Sequence, residues 1–403
     1  MVKRLRSSVT LAWLVLVPGG CSSAQTPAIK PSIDPGRLRS APRFTAAVRY
    51  LDSAIAAGAA PGAVLAVSSY GQWFIHGPGR LGLDDPATPD STTLYDLASL
   101  TKVIGLTTAM MLAVDSGLIE LDAPIQRYVP GFTGRNKDRV TVRHLLVHAS
   151  GLPAWRPLFR ETATREEALT LADTTPLDTI PGVRYLYSDL GAIVLTQAVE
   201  AVFQQRLDSL LAKRVFPSMR MSSTRYLPPH EWLPRIAPTE NDPWRGRILR
   251  GEVHDENAAR LNGISGHAGL FSTAPDLLRF GEWILWVVSD PQFGMPAARV
   301  VNEEWLRFQV AGSFLKRQGI PPGSSRALGW DTPSSGSSAG SLLDHSSVGH
   351  TGFTGTSIWI DPTRELVIVL LTNRVHPTRD NNRMGPVRRG VADRVVEGLR
   401  ESR

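Results

Sequence analysis

The stretch DLASLTKV, from Asp96 to Val103, places a serine three residues before a lysine. Lysine is scarce in this chain, which has six lysines against 38 arginines. If the stretch begins a helix, residues i and i+3 lie on the same face, about 5–6 Å apart at Cβ. The spacing therefore predicts contact between the side chains of Ser99 and Lys102.

Such a pair suits nucleophilic catalysis. A serine hydroxyl becomes a good nucleophile when a neighbouring base takes its proton. A lysine is a base only when it is neutral, and arginine stays protonated. The apolar neighbours Leu97, Leu100 and Val103 predict burial, which lowers the pKa of an amine. Ser99 and Lys102 are therefore the candidate nucleophile and its neutral base.

Composition favours one large folded body. The chain has 403 residues, of which 42% are hydrophobic and 20% are charged, enough to bury a sizeable core. Its net charge is +7, and Lys3, Arg4 and Arg6 at the N-terminus supply three of those charges. No dense basic block with interleaved aromatic residues occurs, so nucleic acid is not an expected partner.

The N-terminus has the pattern of an export signal. MVKRLRSS is basic, VTLAWLVLV is apolar, and PGGCSSAQ is rich in small residues. Residues 1–21 are therefore predicted to be a signal peptide, with a proline-containing linker at 22–42. Cys21, the chain's single cysteine, lies where a bacterial lipoprotein is lipidated; lipid anchorage through it and simple cleavage near Ala24 both fit. The expected location is the periplasm or cell envelope.

The folded body is predicted to span residues 43–403. AVLAVSSYGQWFIHG, near its start, is typical of a β-hairpin, and TSIWIDP and ELVIVLLTN, near its end, are typical of strands. Residues 91–319 have mainly helical spacing. We therefore expect an α+β fold with α/β/α layers. An antiparallel sheet is built from 43–90 and 320–403, and an all-helical region is inserted between them.

Two further clusters could carry chemistry. In RYLYSDLGAIV, Tyr187-Ser188-Asp189 precedes a predicted helix, and a tyrosine oxygen relays protons if nearby cations hold its pKa down. In SVGHTGFTGTSIWIDP, His350-Thr351-Gly352 precedes a strand, where small residues let a substrate approach the strand edge. The backbone N–H groups of Ser99 and Phe353 are candidates for an oxyanion hole.

Taken in order, these three clusters resemble the motifs of the serine β-lactamase and penicillin-binding-protein superfamily. The resemblance covers about residues 44–400, and GHTGFTGTSIWIDP with LLTNRVHPTRDN is similar to the penicillin-binding protein 4B and esterase-like group. It implies that Ser99 is the nucleophile, Lys102 its base and Tyr187 the acid/base partner, with no metal or organic cofactor. It also implies a set of residues on the substrate side of the site: Asp189, His350, Thr351, Gly352 and Phe353.

Two positions depart from the superfamily pattern. Asp189 stands where asparagine is usual, and His350 stands where lysine is usual. A histidine is largely neutral at pH 7 unless an acidic neighbour raises its pKa, so the permanent cation for a substrate carboxylate is missing. The resemblance therefore implies acyl-enzyme formation on Ser99 with peptides of the D-Ala-D-Ala type or small esters. It implies weak or no β-lactamase activity.

Two alternatives remain open from the sequence. The same fold could serve as a catalytically weak penicillin-binding or peptide-sensing module. His254-Asp255-Glu256 with His267 could serve a zinc hydrolase, although their spacing matches no zinc motif. The expected partners are a small molecule or a peptidoglycan peptide.

Overall fold

The computed structural model describes residues 42–287, 299–300, 304–305 and 308–400. The predicted signal peptide at 1–21, with Cys21, and the linker at 22–42 apart from its last residue lie outside these residues. Cleavage, lipidation and export therefore stay predictions. Within the described residues, no helix is both long and apolar enough to cross a membrane.

The described residues form short strands and mostly short helices. The strands are β1 (Ala63–Ser69), β2 (Gln72–His76), β3 (Tyr95–Asp96), β4 (Arg225–Tyr226), β5 (Asn241–Asp242), β6 (Arg247–Ile248), β7 (Leu270–Ser272), β8 (Arg299–Val300), β9 (Glu304–Trp305), β10 (Val348–Thr351), β11 (Ser357–Asp361) and β12 (Leu366–Thr372). The α-helices are α1 (Thr45–Ala56), α2 (Thr108–Asp115), α3 (Val142–Leu146), α4 (Leu158–Glu161), α5 (Arg165–Thr174), α6 (Asp189–Phe203), α7 (Leu207–Arg214), α8 (Glu256–Arg260), α9 (Ala274–Val287), α10 (Phe308–Leu315) and α11 (Met384–Arg400).

The central sheet joins the two ends of the folded body, as predicted. Its five strands are antiparallel in the order β10-β11-β12-β1-β2. The predicted hairpin is confirmed, since β1 and β2 are joined at Tyr70-Gly71, where both residues have positive φ. Glycine adopts this conformation without steric cost. The β10 strand, which carries the third motif, thereby reaches one edge of the sheet.

Helices cover both faces of the sheet. Leu65 and Val67 of β1 pack into a core with α1 and α11, whereas Val64 and Ala66 pack into the core that contains α9. Successive strand residues point to opposite faces, so burial on both faces explains why β1 is apolar throughout. The predicted α/β/α layering is therefore present.

The inserted region is not exclusively helical. It contains a three-stranded antiparallel sheet in the order β3-β7-β4, whose strands are two or three residues long. Strands this short show no alternation of apolar and polar residues, so the sequence pattern does not reveal them. Immediately after β3, the N–H of Leu97 donates to the carbonyl of Leu270 at 2.9 Å. The small sheet thus holds the backbone that leads to Ser99.

Candidate active site

Ser99 lies in a tight turn between β3 and a π-helical segment, Lys102–Thr107. Ala98, just before it, has φ +45°, a conformation that costs energy for a residue other than glycine. The Asp96 carboxylate stabilises the turn by accepting the N–H of Ala98 at 2.8 Å and the N–H of His254 at 2.6 Å. Strained backbone of this kind is common where a side chain must be presented for function.

Lys102 contacts three groups at once. Its Nζ donates to Ser99 Oγ at 2.9 Å and to the carbonyl of His267 at 3.1 Å, and it lies 2.6 Å from Asp189 Oδ1. The side chain is only 3% exposed. The structure therefore brings together the predicted nucleophile and base. It places Asp189 against the lysine, whereas the sequence placed that residue on the substrate side.

The protonation state of Lys102 differs from the expectation. Burial does favour the neutral amine, as predicted, but the Asp189 carboxylate and Tyr187 together outweigh it and raise the pKa of Lys102 above its ordinary value. The prediction of a neutral amine is therefore wrong for the free site. The sequence showed the apolar neighbours of Lys102, but not the carboxylate that the fold brings from the start of α6.

Tyr187 lies over the lysine. Lys102 Nζ is 4.9 Å from the centre of the Tyr187 ring, and the hydroxyl is buried without a hydrogen bond of normal geometry to any described residue. Burial raises the pKa of Tyr187, and this outweighs the opposite effect of Lys102. The hydroxyl therefore keeps its proton, and the expectation that nearby cations hold this pKa down is wrong. A protonated tyrosine suits the role of an acid.

The residue after Tyr187 fixes its position. Ser188 caps α6 by accepting the N–H of Gly191 at 3.3 Å, and its own hydroxyl donates to the carbonyl of Pro153 at 2.6 Å. A serine cap stabilises a helix start by satisfying a free N–H group. The tyrosine motif is thereby held against the loop that follows α3.

His350 is uncharged in this site. Its Nδ1 lies 2.8 Å from the carbonyl of Thr351, so Nδ1 carries the proton and donates it, and the buried Nε2 bears a lone pair. Burial, aided by Arg326 and Lys102, lowers the pKa of His350 well below its ordinary value. The ring therefore presents a hydrogen-bond acceptor, in contrast to the cation that a lysine would place there.

A second imidazole, that of His148, flanks Tyr187. His144 and His148 are four residues apart, as in helical zinc pairs, but the glutamate of that motif is missing, so the sequence favoured a structural role for them. The His148 ring is centred 4.5 Å from the Tyr187 ring, and the His350 ring is centred 5.9 Å from it. His148 Nδ1 accepts the N–H of Ser188 at 3.2 Å, and burial lowers its pKa well below the ordinary value. The structure therefore places beside the predicted acid/base residue a histidine that the sequence did not connect with catalysis.

The third motif is attached directly to the nucleophile turn. Thr354 and Thr356 donate hydroxyl hydrogen bonds to the carbonyls of Asp96 and Leu97, at 2.7 and 3.0 Å. A side chain at Gly352 would come within 2.4 Å of the Leu97 carbonyl. Glycine is thus required here by packing against the turn, a reason that differs from the predicted approach of a substrate.

The remaining third-motif residues lie where a substrate would meet the sheet edge. Thr351 ends β10 and pairs with Ser357 of β11. Phe353 follows the strand and is exposed. Among the described residues, no backbone carbonyl accepts the N–H of Ser99 or of Phe353. Both candidate donors of an oxyanion hole are therefore free of internal backbone partners.

The residues considered as metal ligands are paired with other groups. His254 Nε2 lies 2.8 Å from Glu240, and Glu256 binds Arg379 at 2.7 Å. His267 Nε2 lies 2.8 Å from Asp255. Across the described residues, no three His, Cys, Asp or Glu side chains form a group that could hold a metal ion.

Sequence reasoning also missed the support behind Lys102. The His267 ring is fixed between Asp255, at 2.8 Å, and the Ser265 hydroxyl, at 2.7 Å, and its backbone carbonyl accepts the lysine amine. The type of a residue does not indicate which group its backbone carbonyl will contact. Only the folded chain shows that GHAGLFS lies against the nucleophile.

A serine–lysine pair beside a buried tyrosine, at the edge of an antiparallel sheet covered by helices, defines the class of serine acyl-hydrolases. The family model described as Beta-lactamase matches residues 48–393, and the chain belongs to this family. It is a serine hydrolase of the β-lactamase and penicillin-binding-protein fold.

Curated relatives and solved structures agree with this placement. A Salmonella schwarzengrund protein named "Putative D-alanyl-D-alanine carboxypeptidase" is 29% identical over 335 residues, which cover 75% of this chain and 74% of that protein. The hydrolase EstCE1, with promiscuous acyltransferase activity, superposes with a TM-score of 0.70 at 19% identity and covers 88% of this chain and 99% of its own. A class C β-lactamase from Rhodobacter sphaeroides has a TM-score of 0.67 at 19% identity, with 88% and 99% covered. These two structures share the fold.

Proposed function

We propose that this enzyme hydrolyses an amide or ester of a peptide-like or small substrate through an acyl-enzyme on Ser99. The observation that carries the proposal is the 2.9 Å contact between Ser99 Oγ and Lys102 Nζ, inside a site that also holds Asp189 and Tyr187. A positioned base next to a hydroxyl is what nucleophilic catalysis requires.

The proton of Ser99 needs an acceptor, and the charged Lys102 is not one by itself. Asp189 lies 2.6 Å from Nζ and can take one ammonium proton while Nζ takes the proton of Ser99. The net transfer runs from the serine to the carboxylate, and Ser99 Oγ bonds to the substrate carbonyl carbon. The N–H groups of Ser99 and Phe353 are proposed to bind the resulting oxyanion.

Tyr187 is proposed to complete the first half of the reaction. Its protonated hydroxyl donates to the leaving amine or alkoxide as the carbonyl re-forms, and the Lys102 ammonium then returns a proton to the tyrosine oxygen. Water hydrolyses the acyl-enzyme in the second half. The raised pKa of Tyr187 supports this acid role, because a buried phenol holds its proton until a stronger base is near.

Two substrate classes have separate support. The relatives named as D-alanyl-D-alanine carboxypeptidases favour peptides that end in D-Ala-D-Ala. The neutral His350, which presents an acceptor, favours esters without a carboxylate. The same feature predicts slow reaction with penicillins, which carry a carboxylate.

The test is intact-protein mass spectrometry combined with product assays on three probes: a p-nitrophenyl ester, a D-Ala-D-Ala peptide and benzylpenicillin. We expect an acyl adduct that forms and disappears with the ester or the peptide and is absent in Ser99→Ala. Turnover that survives in Ser99→Ala would overturn the proposal. An adduct that persists with every probe would instead support the penicillin-binding or peptide-sensing module.

We also propose export, supported by the basic, apolar and small-residue pattern of residues 1–24. A lipid anchor on Cys21 would fix the enzyme to a membrane face, whereas simple cleavage of the signal would leave it free. Membrane fractionation of the full chain and of Cys21→Ser tests the anchor. Loss from the membrane fraction in the variant supports lipidation, and equal distribution of both forms contradicts it.

A further inference from the structure

Exposed aromatic side chains gather near the candidate active site. Within the described residues, the exposed large hydrophobic side chains include five aromatics. One, Tyr70, lies in the β1–β2 turn, whereas the other four lie on segments that contact the site: Trp155, Tyr185, Trp244 and Phe353. Contiguous apolar surface left in contact with water marks ligand-binding grooves or interaction sites.

Two of these aromatics, Trp155 and Trp244, are joined into one row by a third aromatic, Phe159, which is buried. The buried Phe159 ring is centred 6.4 Å from Trp155 and 4.8 Å from Trp244, with an edge-on geometry to the latter. Trp155 and Trp244 remain 48% and 40% exposed although they pack on the same ring. The row is therefore a fixed surface, because a buried aromatic residue holds its centre.

Each end of the row is connected to the site by a hydrogen bond of a neighbouring residue. At one end, the carbonyl of Ala154, the residue before Trp155, accepts the N–H of Asp189 at 2.9 Å, and Asp189 contacts Lys102. At the other end, Arg245, the residue after Trp244, donates to the carbonyl of His254 at 2.7 Å.

The Trp244 end of the row is connected to the third motif through His254. The His254 ring stacks on Phe353 at 5.7 Å with an interplanar angle of 20°, and the Arg374 guanidinium lies 4.6 Å from the centre of the same phenyl ring. Phe353 is nevertheless 49% exposed. The segments that carry the row are thus connected to Asp189 at one end and, through His254, to Phe353 at the other.

The charges around the row indicate which class of ligand it can bind. The guanidinium carbons of Arg245 and Arg260 lie 5.5 and 5.7 Å from the centre of the Trp244 ring. Arg245 is paired with Asp242 at 2.7 Å, whereas the Arg260 nitrogens that make hydrogen bonds donate to the carbonyls of Ala163 and Phe159. Among the described residues, no carboxylate is therefore bonded to the charge of Arg260. A positively charged substrate group would be repelled here, whereas a neutral apolar group would be stabilised by burial against the rings.

We propose that Trp155, Phe159 and Trp244 form the binding surface for the acyl group of the substrate, and that this group is neutral and apolar, an aromatic ring or a chain of several carbons. The inference rests on the proposed acyl-enzyme at Ser99, and it names the substrate class for that site. We expect an acetyl group to end short of the row, so that the rings act on longer acyl groups.

The test compares p-nitrophenyl esters of acetate, hexanoate, phenylacetate and 6-aminohexanoate, each rate being divided by that of hydroxide-catalysed hydrolysis. For the unmodified enzyme, we expect kcat/KM for hexanoate and phenylacetate to exceed that for acetate by about tenfold or more. The 6-aminohexanoate ester, matched in length but positively charged, should fall at least about tenfold below hexanoate.

Variants then locate the effect. Trp155→Ala and Trp244→Ala should each lower kcat/KM for hexanoate and phenylacetate about tenfold more than for acetate, and Trp→Phe at either position should restore most of the loss. Tyr70→Ala removes an equally exposed aromatic in the β1–β2 turn and should change none of the ratios.

The outcomes separate this inference from the proposed function. An unmodified enzyme that prefers acetate, or tryptophan variants that lower all esters equally, would overturn the acyl surface while Ser99-dependent hydrolysis stands. Hydrolysis that persists in Ser99→Ala would overturn the proposed function, and the acyl surface with it.

Discussion

The pKa values of two buried lysines of this protein are shifted in opposite directions. Lys102 and Lys137 are 3% and 1% exposed. The pKa of Lys102 is raised above its ordinary value, whereas that of Lys137 is lowered to about 8. Lys137 donates to the backbone carbonyl of Asp173 and lies 4.3 Å from the centre of the Phe132 ring, so burial decides its pKa.

The difference shows that burial alone does not make a lysine a base. Lys102 has a carboxylate oxygen at 2.6 Å, and this contact together with Tyr187 favours the ammonium more than burial disfavours it. Lys137 bonds to a neutral carbonyl, which does not compensate for the loss of water to the same extent. The more easily deprotonated lysine is thus the one away from the nucleophile. We therefore expect catalysis at Ser99 to depend on Lys102 and Asp189 acting as a unit.

The largest expected effect is the loss of activity when the Lys102 amine is removed, with removal of the Lys137 amine as the control. Lys102→Met should lower kcat/KM for the best ester by roughly 10²–10⁴-fold, because the proton of Ser99 loses its path. Lys137→Met, the matched control, should leave kcat/KM unchanged, since Lys137 contacts no residue of the site. Steady-state kinetics of both variants measures this. Equal losses in the two would show that the buried charge serves folding and not the reaction.

A smaller effect, with a defined sign, is expected for Asp189→Asn. In the proposed mechanism the Asp189 carboxylate is the final acceptor, whereas in Asp189→Asn the Lys102 amine must first lose its own proton, which an amine does at higher pH than a carboxylic acid. The acid limb of the pH–rate profile should therefore move to higher pH, and the rate at pH 7 should fall about 10–100-fold. An acid limb that stays in place or moves to lower pH would mean that Lys102 alone is the base.

His350→Lys tests the other charge in the site. A permanent cation at this position should favour substrates with a carboxylate, and raise the ratio of kcat/KM for benzylpenicillin or a D-Ala-D-Ala peptide to that for a neutral ester by about tenfold. Competition between the two substrate types in one reaction gives the ratio directly. An unchanged ratio would show that the neutral imidazole has no part in the selection.

The smallest effect concerns stability near Lys137. Its pKa is about 8 in the folded protein and about 10.4 in an unfolded chain, so the unfolded chain binds more protons between these values. The free energy of unfolding of the unmodified protein should therefore rise with pH from about 8 to about 10, relative to that of Lys137→Met. Urea unfolding of both proteins at pH 7.5 and pH 10 measures the difference. A difference that stays constant or falls would contradict the lowered pKa.

The regular elements of the sheet followed from local pattern. The β1–β2 hairpin and the strands β11 and β12 all have apolar spacing that a short window of sequence displays. The small sheet that holds the Ser99 turn could not be predicted, because strands of two or three residues are too short to show alternating apolar and polar residues.

For this protein, the sequence by itself determined the order of the three motifs, the contact between Ser99 and Lys102 one helical turn apart, and the absence of a permanent cation at position 350. Only the tertiary structure decided the charges within the site. It brought Asp189 to Lys102 across 87 positions of chain and set the carbonyl of His267 behind the amine. It also buried Tyr187 between two imidazoles. The reason is physical: a pKa depends on what lies within a few ångströms in space, and neighbours in the chain supply only part of that surrounding.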